Sequence, residues 1–414
     1  MTATATGDYR RRNARRLKLV LLGVVALALA LALDVSIGPG NLPLSDVLRT
    51  LVDPQSATPR LSVIVWDLRL PIALMAMAVG AMLGLSGAGM QTILANPLAD
   101  PFTLGVSAAA TVGASVAIVF GWSVIPGAGP YIVTANAFVF ALSASLVLFF
   151  MTKLRGVSPE TMILVGIALL FTCNAITALL QYRSNEVQLT QIVFWTLGSL
   201  ARASWEKVGV AALLIALALP FFLMRGWALT ALRLGDERAE SLGVRVDRLR
   251  LEILVATSLL AAVSVSFVGG IGFIGLVGPH IARLLVGEDQ RFFLPTATIA
   301  SAVLLSLAST VSKVITPGVI YPIGIITALI GVPFFISLVM SIRGRGVLSD
   351  VTAASRSRFP LRRDAGPAGA RHRSSAAWRA RRSGRPQRLR QVDAVPLRRR
   401  PLAARARHGR ARRP

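Results

Sequence analysis

Between Leu17 and Met340 the chain alternates long apolar stretches with short polar ones, and one interruption stands apart. Residues 225–250, RGWALTALRLGDERAESLGVRVDRLR, set Arg225, Arg233, Arg238, Arg245, Arg248 and Arg250 against Asp236, Glu237, Glu240 and Asp247. Charge at that density cannot lie in hydrocarbon, so this stretch sits in water. Around it, uncharged runs of about 18 or more residues recur, the length that crosses a bilayer core as helix. Backbone groups in lipid must be satisfied within the segment, and these runs are too long and too little alternating for barrel strands. The spans are therefore helices.

Leu17 to Ile37 forms the first run, kept as a span because no A-x-A-like cleavage site follows and further spans do. The second, Leu70 to Gln91, carries Gly80, Gly84 and Ala88 at four-residue spacing, a small-residue stripe that lets another helix approach closely. Further runs cover roughly 104–122, 131–152, 161–181, 208–224, 251–285, 293–312 and 322–341, with a shorter one at 192–201 that reads as a partial helix. The 251–285 run is too long for one crossing and is broken by Gly269, Gly270, Gly272, Gly275, Gly278 and Pro279, which splits it in two. The expectation is an all-α polytopic membrane protein of about ten transmembrane helices.

Charge orients the spans. Residues 1–16 are polar, and Arg10, Arg11, Arg12, Arg15 and Arg16 flank the first run, which puts this basic N-terminus in the cytoplasm. Inside loops then hold Lys153 and Arg155, the six arginines of 225–250, Arg283 and Arg291, and Arg343 and Arg345. Outside loops hold Arg49, Arg60 and Arg69 offset by Asp46, Asp53 and Asp67, then Arg183, Arg202, Lys207 and Lys313. An even number of crossings brings the C-terminus back to the cytoplasm as well. The net charge of +26 does not change this picture, because residues 355–414 hold 20 Arg against 2 Asp and leave only +8 for the rest.

Absences narrow the function. The span interiors carry essentially no ionisable side chain, which disfavours an ion-coupled secondary transporter. No in-frame G-x-x-x-x-G-K-S/T loop is present to hydrolyse nucleotide, so the chain is not expected to be an enzyme and active transport would draw energy from a partner. The single cysteine, Cys173, excludes an intramolecular disulfide and reads as a buried hydrophobe, and no Cys/His cluster suggests a metal or cofactor.

Seven segments in order, RLP (69–71), GAMLGLSGAGMQ (80–91), NPLADPFTLGVSAAATVGA (96–114), FWTLGSL (194–200), LGDERAESLGV (234–244), GGIGFIGLVGPHIARLLVGEDQR (269–291) and YPIGIITALIGVPFF (321–335), resemble the permeases of ATP-binding-cassette importers for iron-siderophores, haem and vitamin B12. The likeness covers about 60 to 342. It implies a type II importer permease fold over 17–347, two permease subunits as homo- or heterodimer, an ATPase dimer below and an extracytoplasmic substrate-binding protein outside. It also implies that the polar stretch holds the coupling helices that meet the ATPase, here Leu234, Gly235, Asp236, Glu237, Ala239, Leu242 and Gly243. Acids early in a turn and a glycine stop agree with a short helix there.

The topology puts Asn96, Pro97, Gly278, Pro279 and His280 on the cytoplasmic face, and the resemblance sets His280, read as a structural residue, near the ATPase contact. Arg69 and Lys313 match the basic positions that dock the binding protein. Two departures stand out: RLPR reads RLPI, with Ile72 in place of a second arginine, and Lys313 stands where arginine is common, losing the bidentate fork. Arg60 is the substitute. Phe194, Trp195 and the Gly198 turn are candidates for a gate or equally for core packing. The resemblance implies a permease subunit passing a ferric siderophore across the cytoplasmic membrane, among membrane lipid and with no nucleic acid partner, with vitamin B12 or haem as the alternative cargo.

Residues 348–414 form a separate, disordered Arg-rich tail by composition. Read one base late, codons for 385–395 permit Gly-Pro-Asn-Gly-Ser-Gly-Lys-Ser-Thr-Leu, a transporter ATPase phosphate loop. The tail is therefore expected to be the out-of-frame start of an adjacent ATPase gene.

Overall fold

The computed structural model describes residues 2–38, 42–155, 159–316, 319–337 and 340. Arg343, Arg345 and the 348–414 tail lie outside the described residues. Every regular element among the described residues is helical. Among the described residues seven helices are long and apolar enough to span a bilayer, and three shorter apolar ones, Val106–Phe120, Ile274–Val286 and Ile323–Ser337, bring the number to the expected ten.

In chain order the helices are α1 (Thr2–Ser36), α2 (Leu44–Val52), α3 (Pro59–Ser62), α4 (Leu70–Ile93), α5 (Val106–Phe120), α6 (Ile132–Arg155), α7 (Pro159–Arg183), α8 (Glu186–Thr196), α9 (Trp205–Met224), α10 (Gly226–Leu232), α11 (Asp236–Ser241), α12 (Val246–Val268), α13 (Ile274–Val286), α14 (Gln290–Val314) and α15 (Ile323–Ser337). A π-helical stretch, Val63–Arg69, joins α3 to α4 without a break.

The hub is α4, buried without interruption from Ala78 to Ile93. Its sequence explains this: apolar or small residues occupy every side, so no face is suited to solvent. The small-residue stripe lies against α14. A Cβ added to Gly84 would collide with the Ser301 side chain and sit 2.7 Å from the Ala297 carbonyl oxygen, and one on Gly80 would sit 2.6 Å from the Ser301 carbonyl. On another side Gly87 meets the backbone of Gly275 in α13. Glycine is what allows these helices to touch through their backbones.

The glycine-rich break expected within 251–285 is real and separates α12 from α13 at residues 269–273. It meets two other chain breaks: Ser199 N–H donates to the Val268 carbonyl (2.7 Å), and Ile323 and Gly324 N–H donate to the carbonyls of Gly198 (3.1 Å) and Leu197 (3.0 Å). Backbone groups released by the broken helices are thus satisfied by each other. The 192–201 run is α8 followed by a short turn over Leu200–Arg202.

One expectation needs correction. The spans are not empty of charge, because Asp34 near the end of α1 and Lys313 near the end of α14 are buried together, with Lys313 Nζ 2.7 Å from Asp34 Oδ1. Ser309 Oγ also donates to that oxygen (2.9 Å). A lone acid closing an apolar run gave no local sign that a cation 279 residues away would neutralise it.

Candidate functional site

Two ends of the bundle are defined by which polar residues meet. At the end holding the first basic segment, Arg16 pairs with Asp289 (3.3 Å), Arg283 with Glu288 (3.3 Å), Arg233 with Glu288, and Arg225 and Arg248 with Glu252 (3.0 and 2.9 Å). The GEDQR and 225–250 segments therefore form one charged belt. Burial raises the Asp289 carboxyl, but hydrogen bonds from Arg291 and the charges of Arg291 and Arg16 outweigh it and hold the group below its usual range.

The short α11 projects from this belt. Gly235 and Gly243 flank it at φ of 100° and 84°, left-handed conformations that glycine adopts without a Cβ penalty. Asp236 and Glu237 occupy its first turn, where they complement the helix dipole. Ala239 is fully buried and roots the segment, together with buried Val244 and Val246. Leu234 and Leu242 face outward, 54% and 50% exposed, amid exposed Glu237, Arg238 and Glu240.

Beneath α11 lies Arg250, which the sequence alone did not distinguish from its five neighbouring arginines. Its guanidinium forms a fork on Asp236, with both N···O distances 2.9 Å, while Nε donates to the Ile93 carbonyl at the end of α4 (3.2 Å). A charge-assisted fork of this kind fixes geometry as well as distance. The exposed segment is thereby tied to the hub helix through one side chain.

Asn96 and Pro97 turn the chain out of α4, with Asn96 Oδ1 accepting from Leu98 N–H (2.9 Å). Asp100 follows, buried against Gly275. Burial pushes its carboxyl up to about 6, opposed by a hydrogen bond from Phe102 N–H. Gly278 presses on Ser301 of α14, Pro279 is buried within α13, and the His280 ring packs edge-on to Phe334 of α15 with centroids 5.5 Å apart. Gln91 Oε1 accepts from Arg283 (3.0 Å), and Thr92 donates to Gln290 (3.4 Å), linking α4 to α13 and α14 at the same end.

At the opposite end the expected docking cations lie elsewhere than at the surface. Arg69 is 4% exposed and donates to the carbonyls of Val35 (3.3 Å), Ser36 (2.8 Å) and Gly38 (3.1 Å). Lys313 is engaged with Asp34. Both cations fasten the end of α1, a contact that the local sequence around neither residue reveals. Of the three candidates only Arg60 is exposed.

Trp195 is 2% exposed and Phe194 56%, while Gly198 abuts the Gly270 carbonyl. Beside this junction lies a cavity of about 580 Å³ lined by Phe102, Leu197, Phe273, Ile325, Leu329 and neighbouring small residues, with no charged side chain in its lining. Among the described residues no cluster of His, Cys, Asp and Glu could hold a metal ion.

Known proteins are similar to this chain. The hemin transport system permease protein of Yersinia pestis is 36% identical over 277 residues, covering 67% of this chain and 83% of its own length. The vitamin B12 import system permease protein of Yersinia enterocolitica is 36% identical over 279 residues, covering 67% and 82%. A solved structure described as an inward-facing conformation of a metal-chelate type ABC transporter matches with a TM-score of 0.69 and 31% identity, covering 78% of this chain and 99% of that one. Residues 10–341 match the FecCD transport family, and the chain belongs to it as a multi-pass ATP-binding-cassette importer permease.

Proposed function

We propose that this chain is the permease subunit that passes a ferric siderophore across the cytoplasmic membrane, driven by a separate ATPase dimer. The observation that carries this reading is α11, an exposed apolar-tipped segment rooted through Asp236 and Arg250 onto the end of α4. Leu234 and Leu242 are the apolar anchors for the ATPase, and the charges around them fix register. Closure of the ATPase pushes α11, and the Arg250 link carries the displacement into the hub and its neighbours. A second permease subunit, identical or related, completes the pathway, and both termini lie in the cytoplasm.

An extracytoplasmic binding protein delivers cargo at the opposite end. Arg60 is the charge of the original three that remains to steer it. The uncharged lining of the 580 Å³ cavity fits a pathway that holds its cargo weakly, leaving selection to the binding protein. Haem and vitamin B12 form the second reading, favoured by what the two Yersinia relatives are named for. The 348–414 tail fits an out-of-frame reading of the ATPase gene, checked by resequencing the DNA from codon 340 onward in all three frames.

The test is uptake into proteoliposomes holding the permease, its ATPase and its binding protein. Ferric siderophore should accumulate only with ATP, and haem or vitamin B12 should compete poorly. Accumulation that follows a proton gradient without ATPase contradicts the reading.

A further inference from the structure

Three spanning helices, α6, α9 and α12, leave a slot of about 380 Å³ between them at the end opposite α11. Its walls are apolar, built from Phe138, Val210, Val263 and Phe267, and its mouth carries Tyr131, Glu206 and Lys207. Tyr131 Oη donates to the Glu206 carboxylate, and Lys207 Nζ donates to the Arg202 carbonyl (2.9 Å). Neither Arg202 nor Lys207 forms an ion pair among the described residues. Partial burial lowers the Arg202 guanidinium below its ordinary range, while the residue keeps solvent-exposed surface beside the mouth.

The surroundings fix what this slot faces. Val210, Leu213 and Leu217 on α9 are 46%, 59% and 62% exposed, an apolar stripe directed away from the bundle. Trp66 and Trp205 stack beside the mouth with centroids 6.4 Å apart, Trp205 Nε1 donating to the Trp66 carbonyl (3.0 Å). Tryptophan and tyrosine gathered at one level mark the membrane–water interface. A slot that is apolar below that level and charged at it suits an amphiphile standing in the leaflet. An acidic protein partner would use the cations but not the apolar walls beneath them.

The charges select the amphiphile further. Glu206 and Lys207 are consecutive, so the mouth presents a carboxylate beside cations, the complement of a headgroup carrying both phosphate and ammonium. We propose that the slot binds a zwitterionic aminophospholipid, with one acyl chain between Phe138 and Phe267, the phosphate on Lys207 and Arg202, and the ammonium on Glu206. This inference needs only that the chain is embedded in a bilayer, and it stands or falls independently of what drives transport.

The test uses the full chain in nanodiscs of equal phosphatidylethanolamine and phosphatidylglycerol, with lipid retained after release counted by native mass spectrometry. The unaltered chain should retain phosphatidylethanolamine in preference. Val210→Trp, a change at an exposed position that fills the slot, should lose the bound lipid, and Lys207→Gln should lower retention about fivefold, the effect of one cation–headgroup contact. Glu206→Gln should retain lipid but lose the preference over phosphatidylglycerol. Thermal melting of each variant separates loss of lipid from loss of fold. Equal retention of the two lipids by the unaltered chain, or unchanged retention in Val210→Trp and Lys207→Gln, overturns the proposal. So does weakened capture of the binding protein by Lys207→Gln with lipid retention intact, which would assign the cations to a protein partner.

Discussion

Lys313→Ala is expected to destabilise the protein by about 3–5 kcal/mol, because it strips the cation from a buried ion pair and leaves Asp34 charged in a low-dielectric site. The Asp34 side chain is wholly buried, and Ser309 and Thr310 are the only other side chains hydrogen-bonded to its carboxylate among the described residues. Two hydroxyls cannot replace an ammonium. Thermal melting in detergent should show a large downward shift for Lys313→Ala and for Lys313→Gln. Asp34→Leu combined with Lys313→Met should recover most of it, since an apolar pair of similar size removes both charges at once. If Lys313 instead serves a docked protein, Lys313→Ala melts like the unaltered chain and loses only affinity for that partner.

Gly84→Leu is expected to abolish folded protein. Even a single added carbon would meet Ser301 and Ala297 of α14 inside van der Waals distance, and two of its three close neighbours there are side-chain atoms of a buried serine backed by a tightly packed helix. Overpacking a core by a few methylenes costs roughly 1–3 kcal/mol, and more where backbones must part. Here α4 would have to leave α14 along the stripe that Gly80 shares. Gly209→Leu on α9 is the control, since a side chain there meets nothing within 4 Å. The measurement is the monodisperse fraction after detergent extraction: lost for Gly84→Leu, retained for Gly209→Leu.

These two sites also mark what could be foreseen from the chain. The Gly80, Gly84, Ala88 stripe was legible because small residues one turn apart declare a close helix contact locally, needing only the partner's identity. The ten apolar helices were legible for a similar reason, since the bilayer imposes length and polarity on each span separately. The Asp34–Lys313 pair was not, because long-range pairing of two isolated charges leaves no periodic trace in either helix. The burial of Arg69 was hidden for the same cause: an arginine that fastens the end of α1 and one that faces water look alike in sequence.

The polar stretch sits between these cases. Its exposure and its acid-rich turn followed from composition, and the resemblance assigned it a partner. The Arg250 fork onto Asp236 and Ile93 emerged only from the packing, as one arginine among six folds inward while its neighbours face solvent or pair along the belt. Asp100 is a further case, an acid buried in a turn that composition reads as an ordinary polar loop.

In the proposed function α11 couples this chain to an ATPase. Its most direct test is ATP-driven uptake and ATPase capture by the full transporter carrying Leu234→Asp and Leu242→Asp, changes at exposed positions that leave the Arg250 link untouched. Burying a charge in an apolar contact should lower capture at least about tenfold and stop uptake while the permease itself melts normally. Uptake at the unaltered rate with both aspartates in place would contradict it.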